Sequence, residues 1–267
     1  MDALSSLLGA SLIVLAHPDD ECVAYGALLQ RMADPTVLFL TDGAPRDPYF
    51  WERYGSREAY ASLRQQEARQ ALAQVGVRRV QFVAANCNGS AAASEVLVDQ
   101  ELFRRLPAAW RELSGAIERL RPQALLTLAY EGGHPDHDSC NLLVSLASRT
   151  FELPAWEAPI YSRARHSDSD RPQPQRFIQE NGTEIDIRPT PAEVERKREM
   201  WRTYSSQGDF LRFFSPEVET VRPLPAYDYS QPPHPGKLNY EHWQWSMTGK
   251  QVCAAFSEFL KDFRQNG

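Results

Sequence analysis

The sequence predicts an α/β protein, a Rossmann-like three-layer sandwich with a mostly parallel central sheet. Four apolar runs of strand length, each ending at a turn, alternate with longer segments of helical spacing. This alternation indicates βαβ units with right-handed crossovers, and strands buried on both faces are near-continuous apolar runs. The predicted strands cover residues 11–16, 36–41, 80–84 and 124–130.

A helical segment follows each predicted strand. Asp19 or Asp20 is suited to cap the first helix, Gly76 to end the second, and Pro107 to kink the third. The four helices are predicted over residues 20–33, 56–75, 99–120 and 137–149.

The second half of the chain is less regular. A hairpin is predicted over residues 176–187, because Asn181-Gly182 suits a type I′ turn. Two further helices are predicted over 191–204 and 248–263, and an irregular aromatic-rich excursion lies between them. We expect one α/β domain over residues 1–267. Residues 1–150 would form the core βαβ units with the site, and residues 151–267 the hairpin, substrate-side loops and C-terminal helices.

The composition is that of an ordinary globular protein, with 42% hydrophobic and 24% charged residues among 267. A net charge of −6 disfavours nucleic-acid binding, which needs clustered Lys and Arg. The apolar run over residues 4–15 is too short to span a membrane. It lacks the preceding basic residues of a signal peptide, so we expect a buried strand. The four cysteines are scattered, which favours a reduced, cytoplasmic protein. The sequence leaves a homo-oligomer open.

The first predicted strand is followed by His17-Pro18-Asp19-Asp20-Glu21. A dinucleotide-binding fold would place a glycine-rich turn here, and none is present. His17 and Asp20 are three residues apart across a strand-to-helix turn, so they can share one cation. Asp19 would then point elsewhere and be free to act as a base. The alternative is a Pro-Asp turn with an aspartate N-cap.

A second cluster, His134-Pro135-Asp136-His137, follows the fourth predicted strand. The carboxyl ends of parallel strands lie at one edge of the sheet, where ligands bind, so the two clusters are expected to form one site. Imidazole and carboxylate are ligands that zinc accepts, with one coordination position left for water. That water ionises near neutral pH and becomes a nucleophile. Spacing alone leaves His134 and His137 interchangeable as ligands.

Both motifs resemble those of a known family. The segment from Ala16 to Glu21, AHPDDE, and the later HPDH at residues 134–137 are similar to the paired signatures of the PIG-L/LmbE-like zinc deacetylases. Weaker similarities lie at Thr41-Asp42-Gly43, at residues 64–67, at Lys197 and at residues 204–207. The resemblance spans about residues 10–207 and implies the same α/β fold.

The resemblance also implies residue roles. His17, Asp20 and His137 match the metal ligands, for Zn²⁺ or for Fe²⁺ or another divalent metal in the same site. Asp19 matches the general base, His134 the residue that stabilises the oxyanion or protonates the leaving amine, and Asp136 a partner that orients an imidazole. Arg64 matches a substrate-facing position, although an ion pair with Glu67 on the helix surface would also explain it.

Other residues carry weaker functional expectations. Asp42 could contact a sugar hydroxyl or simply end its strand, and Tyr130 could donate to an oxyanion or pack. The aromatics over residues 227–245 either line a lid over the metal or fill the core beneath a long loop. None of His166, His234 and His242 has surroundings that predict a ligand.

The function expected from the resemblance is hydrolysis of an amide. Metal-bound water would attack the N-acetyl or N-acyl group of an amino sugar or its conjugate, a small-molecule partner. Alternatives are an amidase for a larger acyl or thiol conjugate, and a catalytically silent sugar-binding relative that would have no use for Asp19. A metal-free glycosidase with paired carboxylates would leave the histidines unexplained.

Overall fold

The structure, a computed structural model, describes residues 7–83, 96–163 and 172–266. Cys87 and His166 therefore lie outside the described residues. Seven strands form one sheet in the order β3-β2-β1-β4-β5-β9-β8, and β6 and β7 form a separate pair. The strands are β1 Ser11–Leu15, β2 Thr36–Phe39, β3 Arg79–Phe82, β4 Ala124–Leu128, β5 Ala155–Ala158, β6 Tyr161–Ser162, β7 Gln173–Pro174, β8 Ile185–Asp186 and β9 Thr220–Pro223.

The five strands from β3 to β5 in the sheet order are parallel, and β1 lies at their centre. Leu12 of β1 is in register with Thr36 of β2, and Ser11 is in register with Ala124 of β4. β9 is antiparallel to both β5 and β8. This mostly parallel sheet with flanking helices confirms the predicted α/β class.

Helices cover both faces of the sheet, because consecutive residues of a strand point to opposite sides. Ile13 and Leu15 of β1 pack in one core with α1, α2 and α5, whereas Leu12 and Val14 pack in the other with α3, α4 and α8. The helices are α1 Asp20–Ala24, α2 Arg57–Gln74, α3 Leu106–Leu120, α4 Pro135–Thr150, α5 Pro191–Thr203, α6 Gly208–Leu211, α7 Asn239–His242 and α8 Gly249–Asn266.

The first predicted helix, 20–33, is wrong in length. α1 ends at Ala24, and a separate 3₁₀ turn covers Leu28–Arg31. The buried carboxylate of Glu219 accepts hydrogen bonds from the backbone N–H groups of Ala27 (2.5 Å) and Leu28 (3.0 Å), which replaces the helical pattern there. The break leaves the motif on a single short helical turn.

The third predicted helix, 99–120, begins later than expected. A 3₁₀ turn at Leu102–Arg104 precedes α3, which starts at Leu106 with Pro107 in its first turn. Proline is favoured at this position because the first turn has no helical acceptor for its N–H groups. The predicted kink at Pro107 is therefore a helix start, and Asp99 lies in a loop.

The predicted hairpin over 176–187 does not form within this fully described stretch. β8 pairs with β9, through Ile185 with Val221, and β7 pairs with β6. Arg222 explains the difference, because its guanidinium donates to the carbonyl of Gln179 at 2.6 Å and contacts the turn beside Gly182. The Asn-Gly turn is thus held against β9 instead of joining two paired strands.

The remaining helices agree with the predicted spacing. Thr190 and Glu193 form a reciprocal capping box at the start of α5, and His134 caps α4. Within the described ranges, no helix has the length and apolar character needed to cross a membrane. The three described cysteines, Cys22, Cys140 and Cys253, are free and buried.

Candidate metal centre and active site

The two His-Pro-Asp motifs meet at the carboxyl edge of the sheet. His17 follows β1, and His134 and His137 lie at the start of α4, after the neighbouring strand β4. The ring centroid of His17 lies 4.3 Å from that of His134 and 5.2 Å from that of His137. All three side chains are buried. The structure therefore brings both sequence motifs into one site.

The side chains of His17, His137 and Asp20 lie close enough together to surround one small cation. His17 Nδ1 lies 3.3 Å from His137 Nε2 and 3.7 Å from Asp20 Oδ2, and His137 Nε2 lies 3.1 Å from Asp20 Oδ1. Ligands about 2.0–2.2 Å from a tetrahedral ion are separated by about 3.3–3.6 Å. The donor set and its spacing thus fit a divalent metal such as zinc.

Asp20 is held in place by the turn that carries it. Its Oδ2 accepts from the backbone N–H groups of His17 (2.8 Å) and Ala16 (3.2 Å), which leaves Oδ1 facing His137. Burial would raise the pKa of Asp20, but the imidazoles of His137 and His17 lower it to about 2. Asp20 is therefore a carboxylate at neutral pH, as a metal ligand must be.

Asp136 lies behind His17. Its Oδ2 is 3.2 Å from His17 Nε2, and its carboxylate also accepts from the backbone N–H groups of Gln100 (2.6 Å) and Leu102 (2.9 Å). A carboxylate on the second ring nitrogen fixes the tautomer of a metal-binding histidine. Asp136 thus directs His17 Nδ1 towards His137 and joins the loop before α3 to the site.

His134 has a different hydrogen-bonding role from His137. Its Nδ1 accepts from the backbone N–H of Asp136 at 3.1 Å, so the proton of the neutral ring is on Nε2, which faces Asp99 at 3.4 Å. Burial, with a further contribution from His17, lowers the pKa of His134 to about 4. The nitrogens of His17, His134 and His137 lie within 4.8 Å of one another, but His134 Nε2–H is a donor, whereas His137 Nε2 faces Asp20.

Asp19 points away from these donors and towards Arg64. Its Oδ2 lies 3.0 Å from Arg64 Nη2, and both side chains line the same cavity. Burial raises the pKa of Asp19 to about 7, against the opposing effect of Arg64. A buried carboxyl group with a pKa near 7 is suited to general base catalysis.

The backbone of Asp19 is strained, and a hydrogen bond to the side chain of Glu21 supports it. Its φ of +118° is in a region that residues with side chains seldom adopt. Glu21 Oε2 accepts from the Asp19 N–H at 3.1 Å, and Glu21 Oε1 accepts from the hydroxyl of Tyr204. Burial raises the pKa of Glu21 to about 8. This buried pair links α5 to the position of Asp19.

Asp99 is a site residue that the sequence reasoning missed. Its Oδ1 lies 3.1 Å from His17 Nε2 and 3.4 Å from His134 Nε2, and its Oδ2 lies 3.6 Å from Arg64. Asp99 is buried and lines the cavity. The one available signal was Pro107, because a helix that starts there leaves Asp99 in the loop after β3, at the ligand-binding edge.

Arg64 is buried and not part of a surface pair with Glu67. It donates to the carbonyls of Gly43 (2.5 Å) and Pro18 (2.6 Å), so it ties together the loops after β1 and β2. Gly43 has φ +71°, and a Cβ there would lie 2.6 Å from Pro18, so this close approach requires glycine.

The structure does not bring the other two predicted substrate contacts to the cavity. Asp42 binds Arg57 and accepts from the backbone N–H of Ala44. The Tyr130 hydroxyl donates to the carbonyl of Gln231 at 2.7 Å. Neither residue is among the described residues that line the cavity. Both side chains have internal partners that account for their positions.

The cavity at the site has a volume of about 860 Å³. His17, Asp19, Asp20, Arg64 and Asp99 line its buried floor. Part of the predicted aromatic excursion, from Trp243 to Met247, also lines it. Trp245 lies against His134, with ring centroids 4.9 Å apart.

Several solved deacetylase structures share this fold. A triple mutant of a deacetylase of the teicoplanin biosynthetic pathway matches with a TM-score of 0.59 and 17% identity, covering 80% of this chain and 97% of that one. The deacetylase of the A40926 pseudoaglycone matches with a TM-score of 0.59 and 18% identity, covering 82% and 99%. The N,N'-diacetylchitobiose deacetylase of Pyrococcus horikoshii matches with a TM-score of 0.52 and 18% identity, covering 82% and 84%.

Comparison with curated proteins finds no match. A family model does match, that of the GlcNAc-PI de-N-acetylases, or PIG-L, over residues 12–148. This region is just over half of the chain and contains both His-Pro-Asp motifs. The predicted family and the predicted class of enzyme, an amide hydrolase, are confirmed: the chain belongs to the PIG-L family of de-N-acetylases.

Proposed function

We propose that this protein is a metal-dependent de-N-acetylase that removes an N-acetyl group from an amino sugar within a larger conjugate. One observation carries the proposal. Three convergent side chains, His17, Asp20 and His137, share one cavity floor with a separate buried carboxyl group, that of Asp19. A binding protein without catalysis would have no use for a strained, buried base beside the ligands.

The metal would be held by His17 Nδ1, His137 Nε2 and one oxygen of Asp20. Zinc suits this set of two imidazoles and a carboxylate, and iron(II) is the alternative in the same site. When bound, a divalent metal would act as a Lewis acid on the amide carbonyl and make a water nucleophilic at neutral pH.

Asp19 would move the proton in this reaction. It accepts a proton from the water that adds to the amide carbon and returns it to the leaving nitrogen. Arg64 Nη2 lies 3.0 Å from Asp19 Oδ2, which keeps the carboxylate in one orientation. The backbone hydrogen bond to Glu21 fixes the strained turn that aims it.

His134 would stabilise the oxyanion that develops from the carbonyl. Because its Nδ1 already accepts from the chain, its Nε2–H is the donor of the ring, and an oxyanion would compete for it with Asp99 Oδ1, which lies 3.4 Å away. The pKa of about 4 implies that His134 is a neutral donor in the metal-free protein. Asp136 would keep His17 in its metal-binding tautomer. Arg64 and Asp99 would form hydrogen bonds with hydroxyl groups of the sugar.

The natural substrate is proposed to be a small-molecule glycoconjugate. The fold neighbours are a deacetylase of the teicoplanin biosynthetic pathway, a deacetylase of the A40926 pseudoaglycone and a deacetylase of N,N'-diacetylchitobiose, which supports an amino sugar as the acylated group. The buried free thiols of Cys22, Cys140 and Cys253 support a reducing compartment such as the cytoplasm.

An amine-release assay tests this proposal. Protein loaded with zinc, or with iron(II) under anaerobic conditions, would be given N-acetylglucosamine, its glycosides and their N-octanoyl analogues. We expect free amine and acetate in equal amounts from the N-acetyl compounds. Preference for the octanoyl compounds would favour the alternative amidase. Sugar binding without amine release under either metal would contradict the proposal and indicate a silent relative.

A further inference from the structure

The cavity is larger than one acetylated sugar ring requires. Its volume of about 860 Å³ lies near the upper end of the range for pockets that enclose drug-sized ligands. The proposed catalytic residues occupy only its buried floor. The remaining space is therefore large enough to receive another part of the substrate.

Three loop segments surround this remaining space, at residues 45–50, 100–104 and 243–247, and we call it the outer cavity. Four large apolar side chains are exposed among the described residues, with exposed fractions from 39% to 78%. The two aromatic ones, Tyr49 (78% exposed) and Trp243 (39% exposed), both line the outer cavity. Exposed aromatic side chains that line one cavity are typical of a binding surface.

The aromatic lining is continuous with the metal centre. Trp243 lies 5.1 Å from Trp245, and Trp245 lies 4.9 Å from His134, measured between ring centroids. Gln244, between the two tryptophans, has φ +58°, so the chain does not alternate there as a strand does, and both indoles line the cavity. A ligand with its acetyl group at the floor would extend along this wall.

The charged side chains of the outer cavity carry no net charge. They are two basic and two acidic residues, Arg46, Arg104, Asp47 and Glu101. Arg46 Nε lies 2.8 Å from Glu101 Oε1, and the Arg104 guanidinium lies over the ring of Phe103 at 4.7 Å. A phosphate would need unpaired, converging cationic donors. The lining therefore favours an uncharged, planar group over a phosphate-linked one.

We infer that the outer cavity binds an uncharged aromatic aglycone, so that the substrate is an N-acetylated amino sugar linked glycosidically to an aryl group. This inference rests on the proposed function for the identity of the sugar end. An aromatic ring packs on indole and phenol faces in offset or edge-to-face geometry. Tyr49 and Trp243 would be covered by the aglycone, which accounts for their exposure.

Four N-acetylglucosamine derivatives separate the candidate aglycones. They are the free sugar, its 4-methylumbelliferyl glycoside, its octyl glycoside and its 1-phosphate. The aryl glycoside is expected to have a kcat/KM about tenfold or more above that of the free sugar, as one or two aromatic contacts would give. An octyl glycoside that is equal or better would overturn the aromatic aglycone in favour of a lipid. A higher kcat/KM for the 1-phosphate would overturn the inference that the group bound in the outer cavity is uncharged.

Substitutions then locate the effect. Trp243→Ala and Tyr49→Ala are each expected to reduce the ratio of kcat/KM between the aryl glycoside and the free sugar by about fivefold. Val218→Ala removes an exposed apolar side chain that does not line the cavity, and it should leave the ratio unchanged. A ratio unaffected by either aromatic substitution would contradict the inference.

A binding measurement separates this inference from the proposed function. Calorimetric titration of the Asp19→Asn variant with the aryl glycoside needs no turnover. If no derivative releases amine but the aryl glycoside binds tightly and Trp243→Ala weakens it, the proposed function fails and the aglycone site stands. If amine is released but the aryl glycoside and the free sugar bind with equal affinity, the proposed function stands and the aglycone site fails.

Discussion

The floor and the outer part of this cavity are built in different ways. The floor consists of buried polar residues, most of them just after the ends of neighbouring parallel strands, and some are held by backbone hydrogen bonds, as Asp20 is by Ala16 and His17. The outer cavity consists of exposed aromatic side chains on irregular segments, such as Tyr49 and Trp243. The floor can fix a reaction while loops of another sequence change the substrate.

The largest expected effect is on turnover and metal content, and it comes from substitutions of two histidines of the floor that have different proposed roles. His137→Ala should lose both metal and turnover, whereas His134→Ala should keep the metal and lose about 10²–10³-fold in kcat, as removal of one oxyanion donor does. Elemental analysis and amine release measure the two outcomes. Loss of metal in His134→Ala with retention in His137→Ala would reverse the assignment.

The next effect concerns the proposed base. Asp19→Asn should lower kcat by about 10²–10⁴-fold, the usual contribution of a general base. Asparagine tolerates positive φ better than most residues, so the turn should persist and the metal content should remain that of the native protein. A variant that loses its metal would show that Asp19 is a ligand.

The pH dependence tests the same carboxyl group. Burial raises the pKa of Asp19 to about 7 in the metal-free protein, and a nearby cation would move it downwards. Since the base works deprotonated, kcat/KM should rise with pH, about tenfold per unit, to a plateau that begins at pH 7 or below. A rate that falls with rising pH through this range would contradict the role of Asp19.

Much of the floor could be predicted from the sequence because it follows from strand ends. β1 and β4 are neighbours, so motifs at their carboxyl ends had to meet, and His17 does lie beside His134 and His137. The distinction between the two histidines was not visible in their spacing. It depends on His134 Nδ1 acting as the cap of α4, which is a property of the folded chain.

The outer cavity and the supports of the floor could not be predicted in this way. Asp99 reaches the site through a loop that Asp136 holds by two backbone hydrogen bonds. Tyr204 meets Glu21 across 183 residues only because α5 packs beside the motif. The tryptophans of residues 243–245 face the cavity through the positive φ of Gln244. Long-range packing of this kind leaves no local pattern.

A smaller effect tests one of these supports. Tyr204→Phe leaves Glu21 with an unpaired buried oxygen, which should cost about 1–3 kcal/mol of stability and lower kcat several-fold through a less well-fixed Asp19. Tyr229→Phe removes a buried hydroxyl that donates to Asn141, in the core on the other face of the sheet. It should cost similar stability in thermal unfolding with no change in kcat. Equal kcat values for the two variants would exclude a positioning role for Tyr204.

The central claim is that one metal at the cavity floor makes this protein a de-N-acetylase, and reconstitution tests it most directly. Protein stripped by a chelator would be titrated with zinc, or with iron(II) under anaerobic conditions, while amine release from an N-acetylglucosaminide is measured. We expect negligible activity before addition and a linear rise that ends at one metal ion per chain. Full activity in the stripped protein, or stoichiometric metal uptake that restores none with either ion, would contradict this account.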